Sequence, residues 1–148
     1  MRPAVPIQFA SPAWIDLVEQ IVREEAANVR AKGLGGDWNL SFSQVWTNVP
    51  PDGGTGSWAI FFKDGNLEFT RAPVATDIGI TGPYDAILPI ARFEFGTASP
   101  QALADIHDYW NSRRALGELR DIGALGSAPK AFQRMIMTLH DRQARLIA

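Results

Sequence analysis

The chain offers few side chains for acid–base chemistry, and their spacing is unfavourable. Its two histidines, His107 and His140, lie in segments of helical periodicity, close to Asp105, Asp108 and Asp141. Side chains one or two positions apart do not share a helix face, so neither histidine forms a dyad with a sequence neighbour. A pairing across two helices remains open, and it leaves Asp105, His107 or His140 as an alternative acid/base set.

Residue types disfavour other catalytic, metal and cofactor sites. The chain has no cysteine, which excludes disulfides and thiolate metal ligands. The glycine-rich stretch DGGTG at residues 52–56 lacks the lysine and the following helix of a phosphate-binding loop. Ser41 and Ser43 alternate with apolar residues, which places them on the solvated face of a predicted strand. We therefore predict no catalytic residue, no metal and no cofactor, and we expect a binding protein rather than an enzyme.

Length and charge indicate one globular domain with no affinity for nucleic acid. The chain has 148 residues, 46% of them hydrophobic, and a formal net charge of −2. This length is enough for one core, and the charge gives no attraction to nucleic acid. No apolar run reaches the ~20 residues of a membrane span, and residues 1–12 lack the apolar core of a signal peptide. We expect cytoplasmic residence without stable membrane insertion. The sequence does not indicate an oligomeric state.

The segment SWAIFFKDGNLEFT, which begins at Ser57, predicts a β-hairpin with an apolar face. Its Asp-Gly pair is a strong signal for a two-residue type I′ turn, which needs positive φ at both central positions. Trp58, Ile60 and Phe62 alternate before the turn, and Phe69 follows the same alternation after it. Alternating residues share one face of a strand, so this aromatic face must pack against another layer.

Helical patterns lie on both sides of the predicted strands. Ser-Pro at residues 11–12 and again at 99–100 provides an N-cap followed by a first-turn proline. A last helix near the end of the chain carries Phe132, Met135 and Ile136 on its apolar face. The order is helix, four strands, helices, strand, helix. It predicts an α+β fold, with a curved antiparallel sheet of about five strands covered on one face by helices.

Four of these features, in their order along the chain, resemble the sterol carrier protein type 2 domain family. The first is the amphipathic amino-terminal helix followed by strands. The others are the motifs WAIFFKDG at 58–65, TDIGI at 76–80 and GELRDIG at 117–123. The resemblance implies one domain over residues 11–148 after an arm over residues 1–10. A predicted helix over about residues 98–114 departs from the family pattern as an insertion.

Members of this family enclose an apolar tunnel between sheet and helices and bind lipids, fatty acyl chains or sterols there. The resemblance therefore implies non-catalytic binding or transfer of a hydrophobic small molecule. Tyr84 and Arg113 join Trp110 as candidates for the mouth of the tunnel. The residues expected to line it are Trp58, Ile60, Phe62, Phe69, Ile87, Phe132, Met135, Ile136 and Trp110.

Two alternatives of other classes stay open. One is a small cone-shaped enzyme that acts on an apolar steroid- or polyketide-like substrate with the acid/base set named above. The other is a protein–protein adaptor that uses the inserted helix. Loss of turnover in His107→Ala and His140→Ala would favour the first. A partner lost on deletion of residues 98–114 would favour the second.

Overall fold

A five-stranded sheet with four α-helices against one of its faces forms the two layers of the computed structural model, which describes residues 6–147. The predicted α+β class and the number of strands are confirmed. The elements are α1 (Pro12–Ala31), β1 (Leu40–Val49), β2 (Gly54–Lys63), β3 (Asn66–Thr70), β4 (Ile78–Pro83), α2 (Tyr84–Ala91), α3 (Pro100–Ala115), β5 (Arg120–Ile122) and α4 (Lys130–Ala144). The predicted inserted helix corresponds to α3.

The strand order is β3-β2-β1-β4-β5, and one of its pairings differs from the predicted antiparallel sheet. β1 pairs with β4 in parallel, whereas the other three neighbouring pairs are antiparallel. A parallel pair cannot be joined by a tight turn and needs a crossover connection. Here the chain leaves the edge strand β3 and crosses the sheet through residues 71–77 before it enters β4.

The crossover covers the sheet face opposite the helices and buries two serines. Asp77 Oδ2 accepts hydrogen bonds from the main-chain nitrogen and the Oγ of Ser41, both at 3.0 Å. The hydroxyls of Ser43 and Thr76 are 2.7 Å apart. Ser41 is 6% and Ser43 4% exposed, so their predicted place on a solvated face is wrong. Small side chains are needed here, because a Cβ on Gly79 would lie 2.8 Å from Ser43 Oγ.

The first helix and the segment before it close one end of the interior. Ser11 Oγ accepts a hydrogen bond from Trp14 N at 3.2 Å, as the N-cap signal predicts. Residues 1–5 of the predicted arm lie outside the described part of the chain. In the rest of the arm, Ile7 pairs with Ile147, and the buried Phe9 lies edge-on to Trp14 with ring centroids 4.8 Å apart.

The interior between the two layers has two unlike halves. In one, the aromatic rings of Trp38, Phe62 and Phe132 are packed edge to face, with centroids 5.1 to 6.1 Å apart. We call this part of the core, whose buried apolar side chains do not border the cavity described below, the packed half; Ile60 belongs to it. The hollow half lies next to it, under α2, α3 and α4, and contains a cavity.

Candidate functional site

The cavity of the hollow half has a volume of about 560 Å³. Proteins bind small molecules in spaces of roughly 300–1,000 Å³ lined mainly by apolar side chains. The inner face of β1, β2 and β4 borders the cavity on one side, and all four helices contribute to the other. The apolar residues that border it include Phe9, Trp14, Val18, Phe42, Trp46, Trp58, Ile78, Ile80, Ile87, Ile90, Ala91, Phe95, Trp110, Leu125, Ile136 and Leu139.

The structure divides the predicted lining residues between the two halves. Trp58, Ile87, Ile136 and Trp110 border the cavity. Another group belongs to the core or packs against it without bordering the cavity, and its members are Ile60, Phe62, Phe69, Phe132 and Met135. The two further mouth candidates do not border it either. Tyr84 packs near Phe9, with ring centroids 5.6 Å apart, and Arg113 pairs with Glu118 at 3.1 Å.

Four tryptophans border the cavity, and only two of them donate the indole N–H to a glutamine side chain. Trp58 Nε1 donates to Gln44 Oε1 at 2.9 Å. Trp14 Nε1 donates to Gln143 Oε1, also at 2.9 Å, while the Gln143 amide nitrogen donates to the Ala91 carbonyl at 2.8 Å. The indole nitrogens of Trp46 and Trp110 are buried and have no hydrogen-bond partner.

The α3 helix and β5 hold the charged mouth of the cavity. Arg114 and Asp121 both border the cavity and are partly exposed, so they mark where it opens to the surface. Arg114 Nε lies 2.6 Å from Asp121 Oδ2, and the guanidinium carbon lies 4.9 Å from the centre of the Trp110 ring. Tyr109 fastens α3 to α2, because its hydroxyl donates to the Ala86 carbonyl at 2.7 Å. The α3 helix, which the sequence analysis interpreted as an insertion, is therefore a wall of the cavity.

Solved structures match the fold of this chain, whereas no protein family and no curated protein matches its sequence. One match is a conserved hypothetical protein of Thermus thermophilus, described as possibly a sterol carrier protein. It has a TM-score of 0.51 at 13% identity and covers 97% of this chain and 92% of that one. A crystal structure of sterol carrier protein 2 gives a TM-score of 0.51 at 15% identity, over 95% of this chain and 100% of that one. The chain has the sterol carrier protein 2 fold.

Within this sterol carrier protein 2 fold, the histidines border the cavity without forming a dyad. His140 Nε2 lies 2.9 Å from the Phe93 carbonyl oxygen, and burial lowers the pKa of His140 below its ordinary value. The neighbouring Asp141 carboxylate accepts main-chain N–H bonds from Phe95 at 2.8 Å and Gly96 at 2.9 Å. Over residues 6–147, no histidine is hydrogen-bonded to a carboxylate, and no cluster of His, Asp and Glu could hold a metal.

Sequence reasoning missed the two glutamines that border the cavity. Gln44 lies on the inner face of β1, opposite Trp58 on β2. Continuing the strand alternation from Phe42 would place Gln44 on the inner face of the sheet. Its polar type indicated a solvated residue instead. For Gln143 no local signal exists, since its partner Trp14 is 129 positions away.

None of the helices in residues 6–147 has the length and apolar character needed to span a membrane.

Proposed function

We propose that this protein binds a hydrophobic small molecule in the cavity of the hollow half. One observation carries the proposal: a space of about 560 Å³, bordered mainly by apolar side chains, lies between sheet and helices and is not filled by them. A void of this kind leaves the atoms of its walls without contact partners, at a cost in dispersion energy. An apolar ligand restores those contacts.

The size of the cavity is sufficient for useful affinity. Each Å² of apolar surface removed from water contributes about 25 cal/mol. A ligand that buries about 300 Å² would gain about 7.5 kcal/mol before the entropic costs of binding. The fold supports the same class of ligand, since one structure that shares it is a sterol carrier protein. We therefore propose a lipid, a fatty acyl chain or a sterol as the ligand.

A blocked cavity provides the test. Ala91 is 3% exposed and borders the cavity, so Ala91→Leu places three more carbon atoms in or beside the open space. The matched control is Ala27→Leu, which adds the same atoms to the exposed side of α1. Native mass spectrometry should detect a co-purified lipid on the wild type and on Ala27→Leu, and little or none on Ala91→Leu.

Displacement of Nile red by added lipids gives the affinities of the same three proteins. We expect at least tenfold weaker binding by Ala91→Leu, with wild-type affinity for Ala27→Leu. Thermal unfolding of each variant verifies that it is folded. The proposal is wrong if the wild type neither carries a lipid nor binds Nile red, or if Ala91→Leu is folded and binds as the wild type does.

A further inference from the structure

Gln44 places an amide on the apolar floor of the cavity. It lies on the inner face of β1, between Phe42 and Trp46 along the strand. Its neighbours across the sheet are Trp58 on β2 and Ile80 on β4. All of these side chains border the cavity. Because β1 is the middle strand and helices cover its inner face, the partly exposed side chain of Gln44 faces the cavity.

The bond to Trp58 determines which end of this amide is free. An indole nitrogen can only donate, so the Gln44 oxygen accepts the bond, at 2.9 Å. The amide nitrogen carries two N–H groups and donates to no acceptor among residues 6–147. Unlike the indole nitrogens of Trp46 and Trp110, which are buried, this nitrogen has accessible surface. An atom of a ligand in the cavity can therefore reach it.

Gln143, the other glutamine at the cavity, has no such free donor. Its oxygen accepts the bond from Trp14, and its nitrogen donates to the carbonyls of Ala91 at 2.8 Å and His140 at 2.9 Å. The protein thus saturates one glutamine of the cavity and leaves the amide nitrogen of the other unpaired. A donor held in an apolar space without a partner costs free energy, and an acceptor on the ligand would offset that cost.

We infer that the cavity binds an apolar ligand with an uncharged acceptor oxygen, of a ketone, ester or hydroxyl group, and that Gln44 Nε2 donates to this oxygen. The inference rests on the proposed function and specifies the chemistry of its ligand. Arg114 is the only arginine or lysine that borders the cavity in residues 6–147, and it pairs with Asp121 at the mouth. A carboxylate at the floor would lack an opposite charge, and burial of an unpaired charge is costly.

The register of the sheet places this oxygen well inside the cavity. Gln44, Ile80 and Asp121 lie side by side in one row across β1, β4 and β5. Neighbouring strands are about 4.8 Å apart, so Gln44 lies about 10 Å from the β5 end of the row. Asp121 marks the mouth, so a ligand that lies along this row carries its oxygen away from the end that meets the solvent.

Undecane and dipentyl ketone test the inference, because they have the same carbon chain and differ by one oxygen in its middle. Displacement of Nile red gives the affinity of a protein for each of them. The quantity to compare is the ratio of ketone to alkane affinity in two variants. The cost of removing each ligand from water is the same for both variants, so it cancels in this comparison.

Both variants lack the Trp58 indole, and only one of them keeps the Gln44 amide. Gln44→Met alone would leave Trp58 Nε1 without its acceptor and able to bind the ketone itself. The two proteins are therefore Trp58→Phe and the double variant Trp58→Phe/Gln44→Met, in which an apolar side chain of similar length replaces the amide. The ratio of ketone to alkane affinity should fall about 2- to 10-fold from the first to the second, the value of one net hydrogen bond.

The wild type provides a direct readout that does not depend on the folding of any variant. The side-chain amide signals of Gln44 and Gln143 are assigned in a ¹H–¹⁵N spectrum and compared with each ligand bound. Dipentyl ketone should move the Gln44 amide protons downfield relative to undecane. The Gln143 amide, which the protein already saturates, should give the same signals with both ligands.

The inference is overturned if the Gln44 signals do not distinguish the two ligands, or if the affinity ratio is the same in the two variants. In either case undecane still binds, so the proposed function stands. If neither ligand displaces Nile red from the wild type, the proposed function fails, and the inference fails with it.

Discussion

The packed half and the hollow half of the interior border the same sheet, yet different side chains face it. Phe132 of α4 lies against Trp38 and Phe62, with ring centroids 5.4 and 6.1 Å away. Trp58, four positions earlier on β2 than Phe62, borders the cavity instead, and the helices opposite leave that space open. The strand pattern is the same in both halves, so the residues of the opposing layer decide whether the space is filled.

This contrast shows that burial and packing are separate properties. Ile60 and Ile136 are both buried, at 0% and 6% exposure, but only Ile136 borders the cavity. A side chain beside a void is removed from water and still lacks contacts on one side. The hollow half therefore contributes less stability per buried residue, and this is where a ligand can bind.

The largest expected effect comes from a matched pair of truncations. Ile60→Ala should lower the free energy of unfolding by about 4–5 kcal/mol, the upper part of the range for isoleucine in a close-packed core. Ile136→Ala should cost about 2 kcal/mol, since part of its surface already faces open space. Urea denaturation of the two variants measures both values. Equal losses would show that the two halves are packed alike and would contradict the comparison.

Local signals were sufficient to predict most of the fold. The Asp-Gly turn and the alternation around it correctly located β2 and β3, and Ser11 with Pro12 correctly located the start of α1. The parallel pairing of β1 with β4 was not predicted, because it depends on where residues 71–77 cross the sheet. The same crossover buries Ser41, whose environment is set by Asp77, 36 positions away.

The site was less predictable than the fold. Alternation identified Trp58 and Ile60 as residues of the inner face, but only the opposing helix determines that Trp58 borders a cavity and Ile60 does not. Helical periodicity on α4 likewise predicted both Ile136 and Phe132 as lining residues, although only Ile136 borders the cavity. The pairing of Trp14 with Gln143 joins two ends of the chain, so no pattern within a short window could indicate it.

A second, smaller effect concerns pH, because the hollow half contains a histidine of altered pKa. Burial lowers the pKa of His140 in the folded protein, with opposing contributions from its bond to Phe93 and from Asp141. At acidic pH the unfolded chain therefore binds more protons than the folded one. The stability that neutral His140 provides is present above about pH 6.5 and declines as the pH falls below it, by at most about 1.4 kcal/mol per pH unit.

Urea midpoints measured from neutral to mildly acidic pH test this effect. His140→Gln keeps an amide that can donate to the Phe93 carbonyl and removes the titration, so its stability should fall less steeply than that of the wild type. His107→Gln changes the other, exposed histidine and is the control for the loss of one imidazole. An unchanged slope in His140→Gln would mean that this wall of the hollow half does not exclude a charge.

The smallest expected effect lies at the mouth, where the hollow half meets the solvent. Arg114 and Asp121 have side chains 42% and 36% exposed, and ion pairs of this kind contribute about 0–1 kcal/mol. A double-mutant cycle of Arg114→Gln and Asp121→Asn, measured by urea denaturation, should give a coupling energy within that range that falls further at high salt. The same variants should release bound Nile red faster, because the pair joins α3 to β5 across the opening. A coupling above about 2 kcal/mol that survives high salt would contradict this, because it would require a desolvated pair. The mouth would then be packed like the interior, and a ligand could enter only by breaking the ion pair between Arg114 and Asp121.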